Sequence, residues 1–341
     1  MKRFFVFLLA LMWAVQVQAQ EQGGIFIQPL KCSLGKDCWI PNYVDLKGGQ
    51  GVLDYMCGDA SYDAQPGARH KGTDFAIRDM LAARRGVEVV AAAAGKVVGV
   101  RDGMVDEKFQ PQSKGRPSHA VKGQECGNGV RLAHENGLFT QYCHLRQNSV
   151  MVKPGQQVQQ GEVIGFVGLS GQTRFPHLHF QLSKGEEILD PFVGFARTAT
   201  CGEGEKPLWT AETLADLPYK PSAIFNAGFA PKVPDRDAFL SGENRGYERG
   251  EFFPATAPVL LVWVEIFRVR EGDRVVFSIQ GPNGQNFHKQ TVPIKARKAY
   301  QSLYTGKRLT AKSWTKGTYT ARFELIRGQE STVLNRKMEI R

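Results

Sequence analysis

This sequence has no C-x-x-C pair, no basic stripe interleaved with aromatics, and no apolar run long enough to cross a bilayer. Each absence removes a class of function. Without C-x-x-C spacing, the six cysteines do not read as a structural zinc cluster. The formal net charge of +11 suits anionic polymers, but no nucleic-acid motif accompanies it, so nucleic acid is not an expected partner. The most apolar stretch, Phe4 to Val15, is shorter than the ~20 residues a spanning helix needs. With Lys2 and Arg3 before it and Val17-Gln18-Ala19 after it, that stretch reads as an export signal over residues 1–19. No cysteine follows the cleavage point to carry a lipid, and no later stretch predicts stable membrane insertion. The expected location is therefore periplasmic or secreted.

An exported chain with six cysteines is expected to form disulfides. Cys126 and Cys143 flank a predicted hairpin, Gly129 to His134 and Leu138 to His144, turning at Glu135-Asn136-Gly137, so they should lie nearly opposite each other. Cys32 and Cys38 can close a small loop, which leaves Cys57 and Cys201 to tie the two ends of the catalytic domain. Cys143 adjoins His144 and could be a thiol nucleophile, but a partner at Cys126 favours the disulfide.

The chemistry-bearing residues fall in three stretches. FPHLHFQL, Phe175 to Leu182, reads as a β-strand, closed by Ser183, Lys184 and Gly185. Side chains two apart share a face, so His177 and His179 stand side by side with Leu178 and Phe180 on the reverse. Upstream, GARHKGTDFAI places His70 four positions before Asp74, with Gly72 between them. That glycine and the following Asp-Phe-Ala-Ile favour a turn entering a strand rather than a helical H-E-x-x-H arrangement. Imidazole nitrogen and carboxylate oxygen suit Zn²⁺, and three protein ligands leave a position open. His70, Asp74 and one histidine of the 177/179 pair make such a set. Tyr142-Cys143-His144-Leu145 ends another predicted strand and offers one more histidine to the same groove.

H-x-x-x-D, then Y-x-H-L, then P-H-L-H-F, in this order and with the spacers GNGVRLAHENGLFTQYCHL and VKPGQQVQQGEVIGFVGLSG, resembles the LytM/lysostaphin-type zinc endopeptidases, peptidase family M23. The resemblance runs from about Gly67 to Pro191. It implies an antiparallel β catalytic domain with an open groove, with His70, Asp74 and His179 as zinc ligands. It implies His144 and His177 as the catalytic pair beside them, one moving the proton of the attacking water and the other supporting the oxyanion. None of these five positions is substituted. The implied substrates are peptidoglycan stem peptides or cross-links, and with no cell-wall targeting repeat the reading leans to a D,D-endopeptidase of a Gram-negative periplasm.

The fold class expected is mainly β, in five segments: signal 1–19, an irregular lead-in at 20–66 packed on the catalytic domain, the M23-type domain at 67–201, a connector at 202–256, and a β-sandwich, immunoglobulin-like, at 257–341. The connector is rich in glycine and proline, with a short helix predicted at Thr210 to Leu217. Strands are predicted at Val87–Val90, Gly95–Val100 and Val163–Val167, and in the last segment at Val259–Phe267, Asp273–Gln280, Gly317–Leu325 and Ser331–Ile340. The polar insertion between Arg101 and Cys126 has the length of a loop that walls a site. His119, His134 and His288 read as strand-end or solvent-facing residues.

Two other readings stand beside the hydrolase. A non-catalytic M23-like activator of a cell-wall amidase would use the same groove for binding, and intact ligand positions argue against it. The turns at Val152 to Gly161 also resemble those of biotinyl and lipoyl carrier domains, but no Met-Lys-Met or Asp-Lys-Ala is present. A protein partner, if there is one, is expected at the C-terminal domain.

Overall fold

The computed structural model describes residues 24–47, 51–65, 68–107, 123–195, 201–242 and 250–341. The expected signal, His119 and most of the 101–126 insertion lie outside the described residues. The first half is built on an eight-stranded antiparallel sheet. Its order runs Cys38–Asn42, Thr73–Ile77, His177–Lys184, Leu138–Leu145, Asn128–Ala133, Gly95–Arg101 and Gln157–Val158, with Glu187–Leu189 paired off the third strand.

The alternation read from the sequence decides the faces. Leu178, Phe180 and Leu182 enter a core shared with Phe75, Tyr142, Leu132 and Trp209. Phe180 stacks on Trp209 with ring centroids 5.4 Å apart. The histidine strand begins at His177, two residues later than expected, because Pro176 has no N–H to give and its carbonyl instead accepts from Ile77. Ser183 and Lys184 continue the strand, paired with Phe139 and Leu138.

The lead-in differs from the irregular structure expected of it. Cys38–Asn42 is an edge strand that pairs with Thr73–Ile77 and places Asn42 opposite Asp74. Its sequence, CWIPN, shows no alternation because all five residues are buried, and Pro41 is tolerated at a sheet edge. Phe26, Tyr43 and Tyr55 from the same segment join the main core.

The second half holds a three-stranded sheet, Ala223–Ala230, Val259–Val269 and Lys298–Arg308, and a four-stranded one, Asn286–Pro293, Arg274–Gln280, Gly317–Arg327 and Glu330–Ile340. Phe229, Val262 and Val264 of the first share a core with Phe277, Tyr319 and Phe323 of the second. Three of these strands were not expected. Ala223–Ala230 lies within the stretch read as connector, yet it pairs along Val259–Val269. Asn286–Pro293 and Lys298–Arg308 are largely polar, since each sits at a sheet edge with both faces partly open. The short helix is present as Ala211–Asp216, capped by the Thr210 hydroxyl, which accepts from the Thr213 amide.

All six cysteines are paired, as Cys32–Cys38, Cys57–Cys201 and Cys126–Cys143. Cys57–Cys201 pins the loop carrying Tyr55, whose ring stacks on Phe192 at 4.5 Å, to a segment 144 residues away. Native bridges of this kind typically contribute ~2–5 kcal/mol. The Cys57→Ser/Cys201→Ser double variant should unfold at a clearly lower urea midpoint than the parent. An unchanged midpoint would show that the loop is held by its aromatic packing alone.

Candidate metal centre and groove

Three elements converge at one end of the histidine strand. His70 sits just before Thr73–Ile77, Asp74 sits on that strand, and His179 lies directly opposite Asp74 in the register. His70 Nδ1 donates to the Tyr43 carbonyl at 2.7 Å, which leaves Nε2 with its lone pair facing Asp74. His70 Nε2 is 3.1 Å from Asp74 Oδ1 and 3.1 Å from His179 Nδ1, and His179 Nδ1 is 2.9 Å from the same carboxylate oxygen. Three basic atoms thus face one another around a single point.

The environment favours the unprotonated forms of Asp74 and His179. Burial alone would raise the Asp74 carboxyl, but His70 and His177 beside it, with hydrogen bonds from His177 and His179, hold it well below the usual carboxylate range. Burial pushes the His179 imidazole down, and contact with Asp74 opposes that shift. A proton on an imidazole nitrogen can hold the carboxylate, but once those nitrogens are unprotonated three lone pairs face one point and call for a cation between them. Two nitrogens and one oxygen suit zinc, whereas Ca²⁺ and Mg²⁺ prefer oxygen throughout. The donor chemistry therefore fits the ion that the family resemblance implies. A second group of donors, Cys32, Asp37 and Cys38, includes two sulfurs bound in a disulfide and does not fit.

His177 and His144 form a second pair, with ring centroids 4.6 Å apart. His177 Nδ1 lies 2.9 Å from the Phe175 carbonyl and 3.1 Å from the Thr173 hydroxyl, and its Nε2 is 3.5 Å from Asp74 Oδ1. His144 Nδ1 donates to the Ser170 carbonyl at 2.7 Å, so its Nε2 also carries the open lone pair. Burial, followed by the neighbouring His177 and His179, lowers the His144 pKa well below its ordinary value. Strand alternation would send His144 to the core face with Tyr142. A left-handed backbone at His144, φ 63°, and a register shift against Asn128 and Gly129 turn it to the groove instead.

All five residues singled out in the sequence are thereby brought together, at the floor of a groove of about 1040 Å³. Its walls include Tyr62, Gln141, Arg174 and Phe175 from the first half, and Phe225 and Tyr300 from the second. Sequence reasoning missed three neighbours. Asn42 Nδ2 donates to Asp74 Oδ2 at 2.7 Å, Tyr62 stacks on His70 at 4.4 Å, and Phe175 stacks on His177 at 4.6 Å. Asn42 lies in a stretch with no periodicity, and nothing in the sequence ties it to Asp74. The other histidines among the described residues are engaged elsewhere: His134 bonds the Ala94 carbonyl and the Thr140 hydroxyl, and His288, half-buried rather than solvent-facing, bonds Thr305.

Comparison with known proteins gives a consistent result. The model of peptidase family M23 matches residues 68–191. The peptidoglycan DD-endopeptidase ShyC of Vibrio cholerae is 30% identical over 105 residues, covering 31% of this chain and 21% of that protein. The DD-carboxypeptidase/endopeptidase Mpg of Neisseria meningitidis is 34% identical over 86 residues, covering 25% of this chain and 19% of that protein. The chain thus spans about a fifth of the length of these curated relatives. Among solved structures, the catalytic domain of lysostaphin from Staphylococcus simulans is 23% identical, covers 44% of this chain and 89% of that one, and superposes with a TM-score of 0.27. That overlap is too low to argue from, and what stands is the sequence match: residues 68–191 match the model of peptidase family M23.

Proposed function

We propose that this protein is a zinc-dependent endopeptidase that hydrolyses peptide bonds in peptidoglycan stem peptides or cross-links. The observation that carries this reading is the convergence of His70, Asp74 and His179 on one point in an open groove, with a second imidazole pair beside it. In this reading His70, Asp74 and His179 hold the ion, whose Lewis acidity lowers the pKa of water and polarises the scissile carbonyl. His144 and His177 share the remaining work. Each is anchored at Nδ1 by a backbone carbonyl, so Nε2 is the atom that takes a proton from water, returns it to the leaving amine, or supports the developing oxyanion. Burial of His144 favours its neutral form, which is the form able to accept a proton.

The relatives' names support a D-amino-acid cross-link as substrate, and the groove's aromatic and amide walls suit a peptide laid across the metal point. The expected export signal would deliver the protein to the compartment that holds this polymer. The C-terminal pair of sheets is read as a small sandwich of the immunoglobulin-like kind, beginning at Ala223 rather than at 257. The activator reading is disfavoured because all five side chains are in place and face the groove.

Gly72 adds a local constraint. A Cβ there would lie 2.5 Å from the Phe180 carbonyl oxygen and 2.8 Å from His179 Cε1 and Nε2, so only glycine lets the His179 ring sit where it does. Gly72→Ala should weaken zinc binding at least about tenfold in chelator competition, with an unchanged far-UV spectrum. Equal affinity would show that the His179 ring is not confined there. Purified sacculi should lose turbidity with the parent protein. Chelator should abolish that loss, and His70→Ala should slow it by more than about 10²-fold. Mass spectrometry of the released muropeptides should show cleaved peptide bonds and intact glycan. A protein that binds zinc yet releases no fragment would instead be the activator.

A further inference from the structure

Phe267 and Arg268 are consecutive residues of the strand Val259–Val269, and on a regular strand they would point to opposite faces. Here both reach the first half of the chain, Phe267 at Phe175 of the matched M23 segment and Arg268 at the lead-in. Arg268 has a left-handed backbone, φ 50°, and the pairing steps from Phe267↔Tyr300 to Val269↔Lys298 around it. A non-glycine residue is held in that region only where its surroundings impose it.

The two side chains lead to two parts of the candidate site. The Phe267 ring stacks on Phe225 at 4.0 Å and packs on Phe175 at 5.7 Å, and Phe175 in turn stacks on His177. Arg268 is almost fully buried, and its guanidinium meets acceptors of the lead-in alone. Nε donates to the Pro41 carbonyl, Nη1 to the Asp59 carbonyl at 2.8 Å, and Nη2 to the Ser61 carbonyl at 2.9 Å and to Asn42 Oδ1. The other end of the same amide, Asn42 Nδ2, donates to Asp74 Oδ2. Asp74 Oδ1 is the oxygen that faces His70 and His179.

The amide thus lies between a buried cation and a buried carboxylate, and each fixes one of its ends. Arg268 can only donate, so it selects the amide oxygen, and Asn42 is left to offer its N–H₂ to Asp74. An arginine used only to fasten two domains would need no such intermediary. A charge this deeply buried is costly, and apolar contact would fasten them as well.

We infer that Arg268 is a positioning residue of the metal centre: acting across the domain boundary through Asn42, it turns the Asp74 carboxylate so that Oδ1 faces His70 and His179. The C-terminal domain is then a working part of the site rather than an appended module. This rests on the zinc reading proposed above, and the test separates the two.

Zinc affinity is measured by chelator competition on the full-length parent, Arg268→Ala and Asn42→Asp, with thermal melts of each. A parent that binds no zinc overturns the metal reading itself. Given a parent that binds, Asn42→Asp keeps an acceptor for Arg268, and so the fastening, but places a carboxylate against Asp74 Oδ2. It should melt near the parent temperature and lose zinc affinity by about 10–100-fold, the range typical of groups that orient a ligand. Arg268→Ala should lose affinity to a similar extent, and the Arg268→Ala/Asn42→Ala double variant should lose no more than Asn42→Ala alone. Asn42→Asp with parental affinity overturns the inference, whether or not Arg268→Ala folds. So does a folded Arg268→Ala within about twofold of the parent.

Discussion

Asp74 carries its carboxylate with no surface exposed, at the floor of a groove, and every neighbouring element is arranged around that charge. One oxygen faces His70 Nε2 and His179 Nδ1, and the other receives the Asn42 amide. An isolated buried carboxylate would take up a proton, and this one is held ionised by imidazoles that are themselves anchored to backbone carbonyls. The anchoring runs outward from there: the Tyr43 carbonyl directs His70, Ser170 directs His144, Phe175 directs His177, and the sheet register sets Asp74 opposite His179.

Two departures from regular strand geometry make the arrangement possible. His144 would face the core, and Arg268 would face away from the lead-in, if their strands kept simple alternation. Both have positive φ; at His144 the register of pairing also shifts, whereas around Arg268 it is unchanged. Backbone conformations of this kind cluster where the surrounding structure needs a side chain redirected. In each case the redirected side chain ends within one or two contacts of Asp74.

Much of this was legible in the sequence because the decisive signals are local. His177 and His179 share a face by strand period alone, and the core positions Leu178, Phe180 and Leu182 follow from the same alternation. The Asn136-Gly137 turn places Cys126 near Cys143, and the helix capped by Thr210 is read from its first residue. What was not legible depends on contacts between distant segments. Cys38–Asn42 has no period because it is covered on both sides, and its pairing with Thr73–Ile77 leaves no mark in the sequence. The polar edge strands Asn286–Pro293 and Lys298–Arg308 lack a buried face to impose alternation. Arg268 reads as one more surface cation among many, and only the fold reveals that its guanidinium is buried against Pro41, Asp59, Ser61 and Asn42.

The central claim is that His70, Asp74 and His179 together hold a single zinc ion. X-ray absorption at the zinc edge on the purified full-length protein tests it most directly. The account predicts a first shell of nitrogen and oxygen at about 2.0–2.2 Å, with imidazole scattering and no sulfur, that is lost or rebuilt in Asp74→Ala. A sulfur shell near ~2.3 Å, or a shell identical in parent and Asp74→Ala, would contradict it.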